Sequence, residues 1–200
     1  MNVELLAVTE GAEELIEAAG RTCYQSGDKA RPGGAGAFVS RLLASGHESP
    51  VEHAYATFRI TGCSRAMTHQ LVRHRLMAVS QQSQRYVSED AFDYVIPPSI
   101  AAAHADEFRA DMEIIRGLYR KWKERGVRNE DARYVLPNAC ATEIVISANF
   151  REFRHIFRIR CAPQAQWEIR QACRAMLRAL LARAPGVFGD LAHLAEEPAA

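Results

Sequence analysis

Several common site signatures are missing from this chain. It has no Cys-x-x-Cys pair, no Gly-x-Gly-x-x-Gly, no Gly-x-x-x-x-Gly-Lys-Ser/Thr and no Gly-x-Ser-x-Gly. Their absence removes the local support for a cysteine zinc site, a Rossmann or P-loop nucleotide site and a hydrolase nucleophile elbow. The five cysteines, Cys23, Cys63, Cys140, Cys161 and Cys173, are odd in number and widely spaced. That pattern argues against a disulfide framework and predicts small core residues in a reducing cytoplasm. His47 and His53 are six apart with Pro50 between them, and His69 and His74 are five apart, so no His-Glu-x-x-His spacing points to a metal. No apolar run is long enough to cross a bilayer, and Met1-Asn2-Val3-Glu4-Leu5 lacks the basic start of a signal peptide, so neither a leader nor a membrane partner is expected. The net charge is only +1. General affinity for nucleic acid shows as a basic excess, which is lacking here.

One further absence is local. No carboxylate lies between Glu52 and Glu89, while Arg59, Arg65, Arg73, Arg75 and Arg85 all do. Within that stretch Arg73-His74-Arg75-Leu76-Met77-Ala78-Val79-Ser80-Gln81-Gln82-Ser83-Gln84-Arg85-Tyr86 concentrates guanidinium, hydroxyl and amide donors. Planar guanidinium donors suit phosphate because they bind it bidentately. The segment therefore predicts a site for a phosphorylated ligand rather than a plain solvated face. Ser83 reads as a hydrogen-bond donor there and not as a nucleophile, since arginine cannot serve it as a base. A second arginine set is Arg133, Arg151, Arg154, Arg158 and Arg160, most of which read as surface residues. Asn149 is a natural cap for the helix that follows it, and amides at a helix start attract anions, so Asn149 to Arg151 is a second candidate phosphate site.

Two hundred residues fit one compact domain with its own core, taken as 1–200. Strands are predicted at Val3–Val8, Ala54–Thr61 and Thr142–Ser147. Helices are predicted at Glu13–Tyr24, Phe38–Ser45 closed by Gly46, Ser64 to about Met77, Ser99 to about Arg125 ended by Gly126, and Asn129–Val135. On the helix starting at Ser64, Gln70, Arg73 and Met77 share one face. A further helix carries Phe150, Phe153 and Phe157 on one face and Arg151, Arg154 and Arg158 on the next, and a last one runs from Pro163 to about Arg183. Ser26–Ala37 and Ser80–Gln84 read as loops, the latter re-entering an extended segment near Tyr86. The order of elements predicts an α+β domain with a small mixed or antiparallel sheet packed with several helices.

These residues resemble a known family. Arg73-His74-Arg75, seven residues and then Ser83 is similar to the signature of the flavin-dependent thymidylate synthases. Gly46-His47-Glu48-Ser49-Pro50-Val51-Glu52-His53 upstream resembles another block of that family, as do Ala132-Arg133-Tyr134-Val135-Leu136-Pro137 and Arg160 with Ala165-Gln166-Trp167-Glu168-Ile169 downstream. The blocks come in the family's order over nearly the whole chain. The stretch between Tyr86 and Arg133 and the loop Ser26–Ala37 match poorly.

The resemblance implies reductive methylation of dUMP to dTMP in a cytoplasmic homotetramer with shared active sites. The carbon would come from 5,10-methylenetetrahydrofolate, the hydride from reduced FAD and the reducing power from NADPH. It implies that Gln70, Arg73, Gln81, Ser83, Gln84, Arg85, Arg133 and Arg160 hold dUMP. It assigns Ser49, Arg73, His74, Arg75, Gln81, Asn149, Arg151 and His155 to FAD and sets His47 near the flavin face. Arg160 would be the catalytic residue that activates the pyrimidine. Some members carry an acid where Gln81 stands and an asparagine where His155 stands. Two other readings compete: an RNA or phosphorylated-ligand module, and a relative that binds the nucleotides without turnover.

Overall fold

A computed structural model describes residues 1–196 of the 200. Four strands form one antiparallel sheet: β1 (Asn2–Val8), β2 (Tyr55–Ser64), β3 (Met77–Gln81) and β4 (Ala141–Asn149), in the order β1-β2-β4-β3. The helices among the described residues are α1 (Ala12–Thr22), α2 (Ala35–Ala44), α3 (Arg65–Leu71), α4 (Pro98–Ala101), α5 (Ala105–Glu124), α6 (Asn129–Ala132), α7 (Phe150–Arg160), α8 (Trp167–Leu181) and α9 (Pro185–Phe188). Short 3-10 turns join several of them. The expected α+β class is what the chain adopts.

By contact the chain falls into two compact units. Among the described residues one holds 1–2, 60–71 and 80–144, and the other holds 3–59, 72–79 and 145–196. In the first, Phe92, Met112 and Cys140 form a small core against which Tyr94, Phe108, Ile115 and Leu136 pack. In the second, α7 is the centre. Phe150, Phe153, Ile156 and Phe157 are buried, and Phe153 meets Phe58 edge-on at 5.4 Å while Phe150 meets Phe188 at 5.1 Å. The strands β2 and β4 alternate buried and accessible residues, as a sheet with one covered face requires.

Four sequence expectations need correction. The helix from Ser64 ends at Leu71, so Gln70, Arg73 and Met77 do not share a helical face. Ser64 does cap it, its Oγ accepting from the Met67 amide at 3.0 Å, but the chain then leaves the helix and Met77–Gln81 becomes an edge strand. No strand forms near Tyr86, where Ser83 carbonyl–amide bonds make a turn instead. The helix expected from Ser99 is two, broken at residues 102–104. The last long helix begins at Trp167, capped by Gln166 and not by Pro163.

Arg154 is the buried member of the second arginine set. It is buried at 1 % exposure, and its two terminal nitrogens each donate to Asp190 at 2.7 Å. A third hydrogen bond reaches the Val187 carbonyl. A buried guanidinium is tolerated only with such a bidentate partner. The pair fastens the segment after α9 onto α7.

Close backbone approach fixes the α2–α9 contact. A Cβ on Gly186 would lie 2.5 Å from the Gly36 carbonyl oxygen. The Gly186 amide donates to Glu13 at 2.6 Å, and its carbonyl accepts from Ser40 at 3.0 Å. Gly186→Ala should therefore destabilise by about 1–3 kcal/mol through overpacking. Gly117, in the middle of exposed α5 with nothing within 4 Å of a built Cβ, should show the opposite sign, with Gly117→Ala gaining about 0.5–1 kcal/mol. Urea unfolding of both variants checks the pair, and equal signs would contradict the packing described.

Candidate functional site

The Arg-His-Arg run sits between α3 and β3, where the chain is neither helix nor strand. Its side chains alternate. Arg73 and Arg75 are exposed, and His74 is buried at 7 %. Neither Arg73 nor Arg75 has an ion pair or hydrogen bond among the described residues, so both guanidinium groups are available to an anion. His74 points inward. Its Nε2 accepts a hydrogen bond from Arg160 Nε at 3.0 Å, and its Nδ1 lies 3.9 Å from Glu152 Oε1. His155 stands edge-on to its ring at 5.7 Å. Burial, the Arg160 charge and His155 together depress the His74 imidazole to about 4. It is a neutral acceptor at working pH.

Asn149 caps α7 as expected, its Oδ1 accepting from the Glu152 amide at 2.9 Å. The Phe150 amide is used by the Ala54 carbonyl. Two of the helix's first amides are thus taken up internally, and the positive charge offered there comes from side chains. Arg151 is held by Glu52 and by Glu48 at 3.5 Å, and Arg158 reaches Glu48 at 3.0 Å. Burial works against the Glu48 carboxylate, but the Arg158 hydrogen bond and the charges of Arg158, Arg154 and Arg151 outweigh it and hold its pKa low. Asn149, Arg151, Glu152, His155 and Arg158 line a cavity of about 690 Å³. His47 and Ser49, with Cys23 and Tyr24, line one of about 420 Å³ that also touches Arg151.

The residues expected to hold dUMP fall mostly in the unit containing residues 80–144. Ser83 Oγ accepts from the Arg85 amide at 3.2 Å, a turn that leaves the hydroxyl proton to donate outward. Arg85 donates through Nε and Nη2 to Glu130 at 3.2 and 3.0 Å. Arg128 shares that carboxylate, and Arg133 Nε bonds the Glu130 carbonyl at 3.1 Å. Gln81 donates to Thr68 Oγ1 at 2.9 Å. Gln70 and Gln84 are half-buried. Burial raises Glu89, against the pull of Arg65 and of a hydrogen bond with Gln84, which fixes that amide.

Four residues were missed in the sequence: Glu152, Glu130, Glu48 and Thr68. Each contacts an expected site residue. Glu152 has a faint signal, standing eight residues before Arg160 and so on the same helical face. The others pair over distances in sequence that no local pattern records. Among the described residues no cluster of His, Cys, Asp and Glu is placed to hold a metal. Cys63, Cys140, Cys161 and Cys173 are buried as expected, whereas Cys23 is exposed. No helix of the described residues is long and apolar enough to cross a membrane.

A family model described as "Thymidylate synthase complementing protein" matches residues 4–186. A flavin-dependent thymidylate synthase of Nitratidesulfovibrio vulgaris is 47% identical over 196 residues, covering 88% of this chain and 80% of its own. One from Geobacter sulfurreducens is 42% identical over 200 residues, covering 95% and 86%. A crystal structure of Helicobacter pylori thymidylate synthase X with FAD and dUMP superposes with a TM-score of 0.78 at 25% identity, covering 95% of this chain and 99% of that one.

His74 carries a pH signature. The unfolded imidazole titrates near its ordinary value of 6.5 and the folded one near 4. The unfolded chain thus binds a proton first, so this residue's contribution is intact above pH 6.5 and is lost as pH falls toward 4. The loss should reach about 2 kcal/mol by pH 5. His74→Gln, which keeps an acceptor without titrating, should flatten that part of the stability profile in urea titrations run from pH 7 to 5. An unchanged slope would contradict the assignment.

Proposed function

This chain belongs to the family of flavin-dependent thymidylate synthases, and we propose that the residue sets described above are its dUMP and FAD sites. The enzyme converts dUMP to dTMP with 5,10-methylenetetrahydrofolate as carbon donor and NADPH as reductant. FAD, once reduced, supplies the hydride. The observation that carries the site assignment is Arg73-His74-Arg75 itself: two exposed guanidinium groups, unpartnered among the described residues, flank a histidine bonded to Arg160.

The residues fit a dinucleotide carrying a diphosphate. Arg73 and Arg75 offer free planar donors of the kind diphosphate takes. The two cavities that share Arg151, about 420 and 690 Å³, have the size of small-ligand sites. Ser49, Arg73, His74, Arg75, Gln81, Asn149, Arg151 and His155 are assigned to FAD, with His47 at the flavin face. Gln70, Arg73, Gln81, Ser83, Gln84, Arg85, Arg133 and Arg160 are assigned to dUMP.

Adding a hydride to a uracil ring leaves negative charge delocalised over the ring and its carbonyl oxygen. A fixed Arg160 guanidinium there is bound more strongly by the transition state than by the ground state. Arginine keeps its proton at any working pH, so Arg160 acts by charge and not by proton transfer. That accounts for the lack of a nucleophile–base pair in the sequence. We further assign 1–200 as one catalytic domain working as a cytoplasmic homotetramer. Leu76, Tyr86 and Tyr134 are 75%, 79% and 84% exposed, large apolar surfaces that another copy would cover.

Flavin-stripped protein should form dTMP from dUMP, methylenetetrahydrofolate and NADPH only when FAD is returned. Arg160→Ala should lower turnover by about 100- to 1,000-fold with an unchanged circular dichroism spectrum. Ordinary dTMP formation by that variant would remove the role given to Arg160.

A further inference from the structure

We propose that His74 and Glu152 are positioning residues that hold the Arg160 guanidinium at its working orientation, an inference that rests on the catalytic role assigned to Arg160 above. Arg160 is the last residue of α7, where a helix ceases to constrain its side chains. An arginine side chain has about 2 kcal/mol of rotamer entropy to lose, so a guanidinium required at one angle needs a fixed partner.

His74 is such a partner. Arginine nitrogens donate and never accept. The 3.0 Å contact from Arg160 Nε to His74 Nε2 therefore requires a lone pair on Nε2 and puts the ring proton on Nδ1. The group facing Nδ1 is the Glu152 carboxylate, 3.9 Å away, whose negative charge favours the proton at that nitrogen. The three side chains form a sequence of fixed polarity: carboxylate, imidazole with its proton toward the carboxylate, guanidinium. His74 and Glu152 are each 7 % exposed, so water does not compete strongly for either. A bond made at Nε fixes the plane of the guanidinium as well as its place.

The helix supplies the frame. Glu152 lies in the first turn of α7 and Arg160 at its end, eight residues apart, which is about 12 Å along the axis on one face. Asn149 locks the start of that frame by capping the Glu152 amide. The His74 loop spans the two ends. The titratable and charged groups grouped around this imidazole are Glu152, His155 and Arg160, and its depressed basicity agrees with a lasting acceptor role. Both ring nitrogens are thereby directed within the protein, so contact of this residue with flavin would fall to its backbone, and the side-chain contacts to Arg73 and Arg75.

The test uses the flavin-loaded enzyme and four variants: His74→Leu, His74→Gln, Glu152→Leu and Glu152→Gln. We expect His74→Leu to lose about 10- to 100-fold in kcat, the scale set by misplacing one reacting group. Flavin content should stay unchanged and KM for dUMP should stay within about threefold. His74→Gln, which restores an acceptor, should recover most of the loss. Histidine-selective 15N spectra should show the Nδ1-protonated tautomer for His74 in the wild type. Glu152→Leu should convert this to a mixture and lower kcat, and the nearly isosteric Glu152→Gln should fall between.

Wild-type kcat in His74→Leu, loss of flavin in step with loss of kcat, or an unchanged tautomer signal in Glu152→Leu would each overturn the inference. If His74→Leu does not fold, the glutamine variants and the tautomer spectrum decide it. Turnover retained by Arg160→Ala would sink the underlying catalytic reading and this inference with it. An inactive Arg160→Ala beside a fully active His74→Leu would sink this inference alone.

Discussion

A guanidinium group offers hydrogen-bond donors in one plane and no acceptor, and it cannot shed its charge. Each arginine drawn into the fold must therefore be met by an oxygen or by a lone pair on nitrogen. Arg154 is met by Asp190 and the Val187 carbonyl. Arg160 is met by the imidazole of His74. The first arrangement binds two segments together. The second fixes the guanidinium at its Nε through an uncharged ring. The same residue type is held by a carboxylate in one place and by an imidazole in the other.

Helix α7 is where those uses meet. Its phenylalanine face is core, its Arg154 is a fastening, and its first and last turns carry Glu152 and Arg160. The burial of Phe150, Phe153, Ile156 and Phe157 fixes the rotation of the helix, and that rotation aims Glu152 and Arg160 at the same histidine. Precision at the polar end is thus a by-product of packing at the apolar one. A helix rolled by one residue would turn by about 100° and separate the pair from His74.

Much of this was legible in the chain. The alternation in β2 and β4, the aromatic spacing of α7, the Ser64 and Asn149 caps and the Gly46 and Gly126 stops are local signals, and the structure follows them. The end of α3 was not legible, because no glycine or proline lies between Leu71 and Met77. The helix stops there because Met77–Gln81 pairs at the sheet edge, and an edge strand whose middle residues are all exposed shows no alternation. Arg154 could not be singled out from the arginines around it because its partner stands 36 positions away. In the site, the motif blocks marked the arginines and amides, but the carboxylates beside them, Glu130 and Glu152, carry no motif of their own.

The carboxylates on Arg85 and Arg151 divide the arginines into two electrical kinds. Among the described residues Arg73 and Arg75 are bare, whereas Arg85 already holds Glu130 and Arg151 already holds Glu48 and Glu52. An anion arriving at a bare arginine sheds only water and small ions, and added salt weakens that attraction steeply. An anion arriving at Arg85 must exchange with a resident carboxylate. Salt weakens the resident pair along with the incoming one, so the two effects partly cancel. Such an ion-exchange position turns away chloride and other weakly held monoanions, which gain too little to displace a carboxylate. It admits a ligand that brings several charges or additional hydrogen bonds at once.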